Sequence, residues 1–156
     1  MIDELAKGGR RDAVAFPRAR VRRDDMALSF SGLKTALWDY LRADGALAET
    51  KDICASFQEA IVDALTSRCL RAMERLDVEM LAIAGGVSAN SRLRQRAAEL
   101  VERRGGRLVL PALRFCTDNA AMIAVAAGLR AERGLPHDPP LAVARLPLAP
   151  ALTAAA

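Results

Sequence analysis

Apolar residues recur every three or four positions from Ile53 through Phe57, Ile61, Leu65, Cys69 and Met73 to Leu76. That is the period of one helix face, so a long amphipathic helix is predicted from about Lys51 to Leu76, with Phe57 and its neighbours in the core. A shorter helix is predicted before it. Ser31 caps it, Leu33, Ala36, Leu37, Tyr40 and Leu41 share one face, and Asp44 and Gly45 stop it. A brief first helix, Ile2 to Lys7, ends at Gly8 and Gly9, and the arginine-rich stretch with Pro17 that follows reads as a loop or irregular strand.

The pattern then changes. Glu79 to Ala84 reads as a buried strand, Asn90 to Arg104 as a helix bearing Leu93, Ala97, Leu100 and Val101, and Arg107 to Leu110 as a second strand after the Gly105-Gly106 stop. Strand, helix and strand in this order predict a βαβ unit with parallel strands, and hence an α/β fold class. A last helix is predicted to begin near Asp118 and to run through Ala120, Ala121, Ala124, Ala126, Ala127 and Gly128, small residues suited to lying close to a neighbour, until Gly134 and Pro136 end it. Residues 1–135 are read as one lobe. Residues 136–156, with Pro136, Pro139, Pro140, Pro147, Pro150 and a final Ala-Ala-Ala, are read as a poorly ordered tail.

At 156 residues the chain is long enough for one domain with its own core. Hydrophobic residues make up 52% but aromatic ones only 4%, which points to closely packed helices of small side chains rather than a bulky aromatic core. No apolar run reaches the roughly 20 residues that span a bilayer, and the first residues lack a secretory signal, so a cytoplasmic, non-membrane protein is expected. Cys54, Cys69 and Cys116 are widely spaced and form no Cys-x-x-Cys pair; they are read as reduced and mostly buried. The net charge of +4 is carried mainly by arginine. The cluster Arg10, Arg11, Arg18, Arg20, Arg22 and Arg23 is either a contact for nucleic-acid phosphates or an ordinary solvated loop, the second being the preferred reading.

Candidate chemistry concentrates where the first strand ends. Gly85 and Gly86 let a phosphate approach the backbone, and the free N–H groups and positive end of the following helix favour an anion. Because βαβ strands are parallel, the segment after each strand emerges at the same sheet edge, where open α/β folds bind ligands. Gly85, Gly86, Asn90 and Asp118 are therefore predicted to converge. Each has a plainer reading: Asp118 and Asn90 as helix caps, the glycines as turn residues. Ser31 and Lys34 are assigned no catalysis.

Four segments resemble the TsaD family, also called YgjD or Gcp. They are Ser29-Phe30-Ser31-Gly32-Leu33-Lys34-Thr35-Ala36; Ala55-Ser56-Phe57-Gln58-Glu59-Ala60; Ala84-Gly85-Gly86-Val87-Ser88-Ala89-Asn90 with Leu93-Arg94; and Phe115-Cys116-Thr117-Asp118-Asn119-Ala120-Ala121-Met122-Ile123-Ala124. They stand in the family's order and cover roughly residues 3 to 135. The resemblance implies the carboxyl-terminal lobe of an actin-like ATPase fold. It further implies transfer of a threonylcarbamoyl group from threonylcarbamoyl-AMP to N6 of the tRNA adenosine 3′ of the anticodon. By the same resemblance Gly85, Gly86 and Asn90 contact the adenylate and Asp118 is a ligand of a divalent metal, iron or zinc.

The family's other metal ligands belong to a His-x-x-x-His motif of its amino-terminal half, which this sequence does not contain, and His137 cannot replace it. The resemblance therefore covers about half an enzyme, expected to bind no metal tightly and to carry little or no transferase activity without that half. Implied partners are tRNA, the amino-terminal half, and TsaB-like and TsaE-like subunits. The alternative is a non-catalytic TsaD-like scaffold, which retention of Asn90 and Asp118 argues against. A peptidase has no support: there is no His-Glu-x-x-His motif. Only two strands are clear, so an open sheet edge and a tendency to associate are expected.

Overall fold

The computed structural model describes residues 2–18, 28–43 and 48–135. Helix α1 spans Ile2–Leu5, α2 Ser31–Arg42 and α3 Thr50–Leu76; strand β1 is Met80–Ala82, α4 is Ser91–Arg103, β2 is Arg107–Val109 and α5 is Ala120–Glu132. Two short 3-10 turns, Gly86–Ala89 and Leu113–Phe115, follow the two strands. The predicted tail, Arg20, Arg22 and Arg23, and the predicted stop at Asp44 and Gly45 lie outside the described residues. The described residues divide into two compact units, the first ending at Asp118 and the second beginning at Asn119.

In the first unit β1 and β2 pair in parallel, Met80 opposite Arg107, Leu81 opposite Leu108 and Ala82 opposite Val109, with α4 as the crossover. The molecule is thus helix-rich with a small parallel sheet, an α/β arrangement. The strands are less buried than their sequence predicts. Leu81 and Leu108 are half-buried, whereas Met80 and Val109 are exposed. Helices α3 and α4 pack against these strands, and the alternation shows cover on one face, whereas parallel sheets are usually covered on both.

Helix α3 is the spine, and its predicted stripe is only part of what it buries. Phe57 and Met73 are buried, but so are Asp52, Ala55, Ser56, Gln58, Ala60, Val62, Ala64 and Thr66, which lie around most of its circumference. Ile61, Leu65 and Cys69 are half-buried because they line an open apolar groove of about 630 Å³ shared with Phe30 and Ile83. The core has an aromatic centre that the composition did not suggest. Phe16 meets Tyr40 and Phe57 edge to face, with ring centroids 5.9 and 5.7 Å apart, and Leu33 and Ala60 complete the buried cluster.

The loop 9–18 is sewn to α3 by polar groups. Asp52, Ser56, Glu59 and Asp63 stand at helical spacing i, i+4, i+7 and i+11, so they share one face. Arg10 donates to Asp52 from its backbone N–H (2.8 Å) and its Nε (2.9 Å). Ser56 Oγ donates to the Arg10 carbonyl and accepts from the Val14 N–H, each at 3.1 Å, and Arg18 Nε donates to Asp63 at 2.9 Å. Arg11 Nε lies 4.0 Å from Glu59. The described part of the arginine cluster is therefore paired with the protein's own acids. Gly9 permits this apposition: a Cβ there would stand 2.2 Å from the Lys51 carbonyl oxygen and 2.9 Å from Ala55 Cβ.

Two predicted caps fall elsewhere. Ser31 is the first residue of α2 rather than its cap, and the capping position is Phe30, which makes no side-chain cap bond. Helix α5, in the second unit, starts two residues after Asp118. Its cap is Asn119, whose backbone is extended and whose Oδ1 accepts the Met122 N–H at 3.0 Å. The cap must directly precede the first helical residue, so Asp118 stands one position too early. Met122, Ile123, Val125 and Leu129 of α5 are exposed.

Candidate functional site

The site grows from the chain reversal at the end of β1. Gly85 has φ 82 and ψ 176, a conformation that a side chain disfavours. A Cβ at Gly85 or Gly86 would meet nothing within 4 Å, so the space over the glycine pair is open. The turn closes on itself: the Ser88 N–H reaches the Gly85 carbonyl at 2.9 Å and the Ser88 hydroxyl reaches the same oxygen at 2.7 Å. Ser88 is fully buried.

The predicted helix amino terminus is used differently from expectation. The glycine pair leads into the 3-10 turn, and α4 begins only at Ser91. Two of its orphan amides are already satisfied: the Ser91 N–H donates to Asp3 Oδ2 at 3.0 Å and the Leu93 N–H to Asn90 Oδ1 at 2.9 Å. The Ser91 hydroxyl adds a 2.8 Å bond to Asp3 Oδ1. The anion at the start of α4 is thus the protein's own Asp3 carboxylate.

Asn90 is the cap of α4, and its Nδ2 donates to the buried Gln58 Oε1 at 2.8 Å. A primary amide has two N–H donors and two oxygen lone pairs, so one of each remains for a ligand. Beside it lies a polar cavity of about 370 Å³ lined by Asp3, Lys7, Gly9, Gln58, Ser91 and Arg92 among others. Arg92 crosses to α3, donating through Nε and Nη2 to the two Glu59 oxygens at 2.6 Å each. That pairing, with lesser help from Arg11 and Arg96, holds the Glu59 carboxyl below its usual range against the opposing effect of burial.

The segment after β2 reaches the same rim. Cys116 is buried, accepts from the Ser88 hydroxyl at 3.2 Å and donates to the Ala112 carbonyl at 3.6 Å. Arg94 spans both segments, with Nη2 donating to the Pro111 carbonyl at 2.8 Å and Nε to the Ser88 carbonyl. The structure therefore joins the turn carrying Gly85, Gly86 and Asn90 to the segment carrying Asp118. Asp118 itself is exposed, two residues beyond Cys116. It offers one carboxylate, and among the described residues no three His, Cys, Asp or Glu side chains gather in a way that would hold a metal ion. These residues do not by themselves fit a transition metal, which needs about three or four protein ligands.

Sequence reasoning missed Gln58, Arg92 and Arg94 as parts of this site. A usable signal was present. Arg92, Arg94 and Arg96 crowd the first two turns of α4, where the helix dipole opposes cations, so each calls for a nearby acceptor. Arg96 has Asp63 and Glu99 at 3.9 and 3.5 Å.

A parallel βαβ unit whose two post-strand loops are bound to each other at one rim is the ligand-binding arrangement of open α/β proteins. The sequence profile of the TsaD family, described as tRNA N6-adenosine threonylcarbamoyltransferase, matches residues 1–125, and the chain belongs to this family. It is 45% identical over 153 residues to the tRNA N6-adenosine threonylcarbamoyltransferase of Desulfovibrio desulfuricans, covering 88% of this chain and 42% of that protein. To the proteins of the same name from an Anaeromyxobacter species and Bdellovibrio bacteriovorus it is 53% and 46% identical, covering 85% of this chain in each case and 41% and 39% of theirs. The chain thus spans about 42% of the length of these relatives. Among the described residues no helix is long and apolar enough to cross a membrane.

Proposed function

We propose that this chain supplies the adenylate-holding part of a tRNA N6-adenosine threonylcarbamoyltransferase, as the carboxyl-terminal lobe of an actin-like fold. In that reaction the N6 amine of a tRNA adenosine attacks the carbonyl carbon of threonylcarbamoyl-AMP. A C–N bond forms, the C–O bond to phosphate breaks, AMP departs and the nitrogen loses a proton. The observation that carries the reading is the open glycine turn after β1, bound to the post-β2 segment at one rim of a parallel sheet.

In this reading the Gly85 and Gly86 backbone lies against the phosphate, where oriented N–H groups favour the charge that develops as AMP leaves. Asn90, fixed by Leu93 and Gln58, offers its remaining donor and acceptor to the nucleoside. Asp118 would hold a divalent metal, iron or zinc, only together with ligands from outside the described residues. The nucleophile belongs to the tRNA, and TsaB-like and TsaE-like subunits are the proposed partners.

Titrating the isotopically labelled chain with AMP tests this. The amides of Gly85, Gly86, Ser88 and Asn90 should shift together, and Gly85→Val should abolish the response. Shifts confined to other segments, or none at millimolar AMP, would refute the assignment.

A further inference from the structure

We propose that Arg94 is the positioning residue of this site, a strut that fixes the glycine turn and the Asp118 segment at one mutual distance; the inference rests on the adenylate reading above. Arg94 lies in the first turn of α4, its N–H bonded to the Asn90 carbonyl at 3.2 Å. Helical side chains lean toward the amino terminus, so its guanidinium reaches back over the loop that precedes the helix. There Nε binds the Ser88 carbonyl, while the two protons of Nη2 go to the Pro111 carbonyl (2.8 Å) and Cys116 Sγ (3.2 Å). One planar group therefore holds three acceptors on two loops.

Buried neighbours close the bridge. The single Ser88 hydroxyl proton is shared between the Gly85 carbonyl at 2.7 Å and Cys116 Sγ at 3.2 Å, so the orientation of the Gly85 peptide is tied to the same sulfur that Arg94 holds. Asp118 is two residues past Cys116, and consecutive Cα atoms are about 3.8 Å apart, so its backbone stays within about 7.6 Å of that anchor. A guanidinium fork meets this spread of acceptors; the compact ammonium of lysine on its flexible stem does not. Arg94, together with the Ser88–Cys116 contact, relates the glycine pair to the Asp118 segment.

The test uses the full chain, AMP as probe, and the variants Arg94→Met and Arg94→Lys. Amide exchange is followed at Ser88 and Asn90 in the first loop and at Phe115 and Cys116 in the second, with Ala97 and Val101 as helix controls. Both variants should lower AMP affinity about tenfold or more, as displacements of about 1 Å in a positioned site do. Exchange should quicken in both loops together while the α4 controls keep their protection, and methylguanidinium should restore AMP binding to Arg94→Ala. Unchanged loop exchange with AMP affinity within about twofold of wild type would overturn the proposal. So would quickening in only one loop, or an equal loss of protection in the helix controls of both variants. If wild-type chain takes up no AMP, the adenylate reading fails, and coupled exchange of the two loops alone decides whether Arg94 is the strut.

Discussion

Replacing Glu59 by Gln isolates one buried charge at the junction of α3 and α4. Glu59 receives two 2.6 Å bonds from Arg92, and the two side chains are only 12% and 9% exposed. Gln keeps the shape and one acceptor oxygen but removes the charge. Arg92 is then left with Glu99, whose nearest oxygen is 3.7 Å from Nη1, beyond a good hydrogen bond. Removing one partner of a buried pair costs about 3–5 kcal/mol, and the retained amide contact places the expected loss toward the lower end, about 3 kcal/mol. For a unit of this size that lowers Tm by about 10 °C.

The acid limb separates charge from packing. The Arg92 hydrogen bonds hold the Glu59 carboxyl below its usual range in the folded state. A depressed folded pKa means that the stabilisation is fully present above the unfolded carboxyl pKa, about 4.3, and is lost as pH falls through the folded value. Urea denaturation of wild type and Glu59→Gln, followed by far-ultraviolet circular dichroism at several pH values, should therefore give a constant gap above about pH 5 that narrows in acid. A double replacement, Glu59→Met with Arg92→Met, should recover part of the loss, because it strands no charge. A gap below about 0.5 kcal/mol at neutral pH, or one that stays constant into acid, would refute the reasoning.

Gly9→Ala should lower stability by roughly 1–3 kcal/mol, since its Cβ would overlap the Lys51 carbonyl and force the loop from α3; a lower urea midpoint with faster exchange of the Arg10 amide checks it, and an unchanged midpoint contradicts it. Asn90→Ala should cost about 1–2 kcal/mol through the lost cap and an unsatisfied Gln58 oxygen, whereas Asn90→Asp keeps the bond to Leu93 and should cost less. Equal losses in the two variants by denaturant titration would show that the cap is not the main contribution. Burial pushes the Cys69 thiol up, so its alkylation by iodoacetamide near pH 8 should lag behind a small free thiol, and equal rates would count against that environment.

What the sequence made legible follows from what a period can encode. Helix α3 and the βαβ unit were readable because burial on one face imprints 3.6-residue spacing and because strand, helix and strand allow essentially one parallel connection. Hydropathy is silent where polar groups are buried against each other. Asp52, Ser56, Glu59 and Asp63 look like a solvated face, yet that face holds the loop 9–18 and Arg92. The same blindness exchanged the roles of Asp118 and Asn119, since either can cap a helix and only the backbone start decides. It also overstated strand burial, because an apolar run records the cover a strand is suited to rather than the cover it has in these residues. Charge read against the helix dipole recovers part of what hydropathy loses. Arginines at the positive end of α4 are unfavourable in isolation, so their presence implies acceptors close by, and in the described structure those acceptors are Glu59 and the carbonyls of Ser88 and Pro111. Polar residues that break a local electrostatic preference thus point to the same rim that the glycine pair marks, from a physical term independent of the glycine geometry.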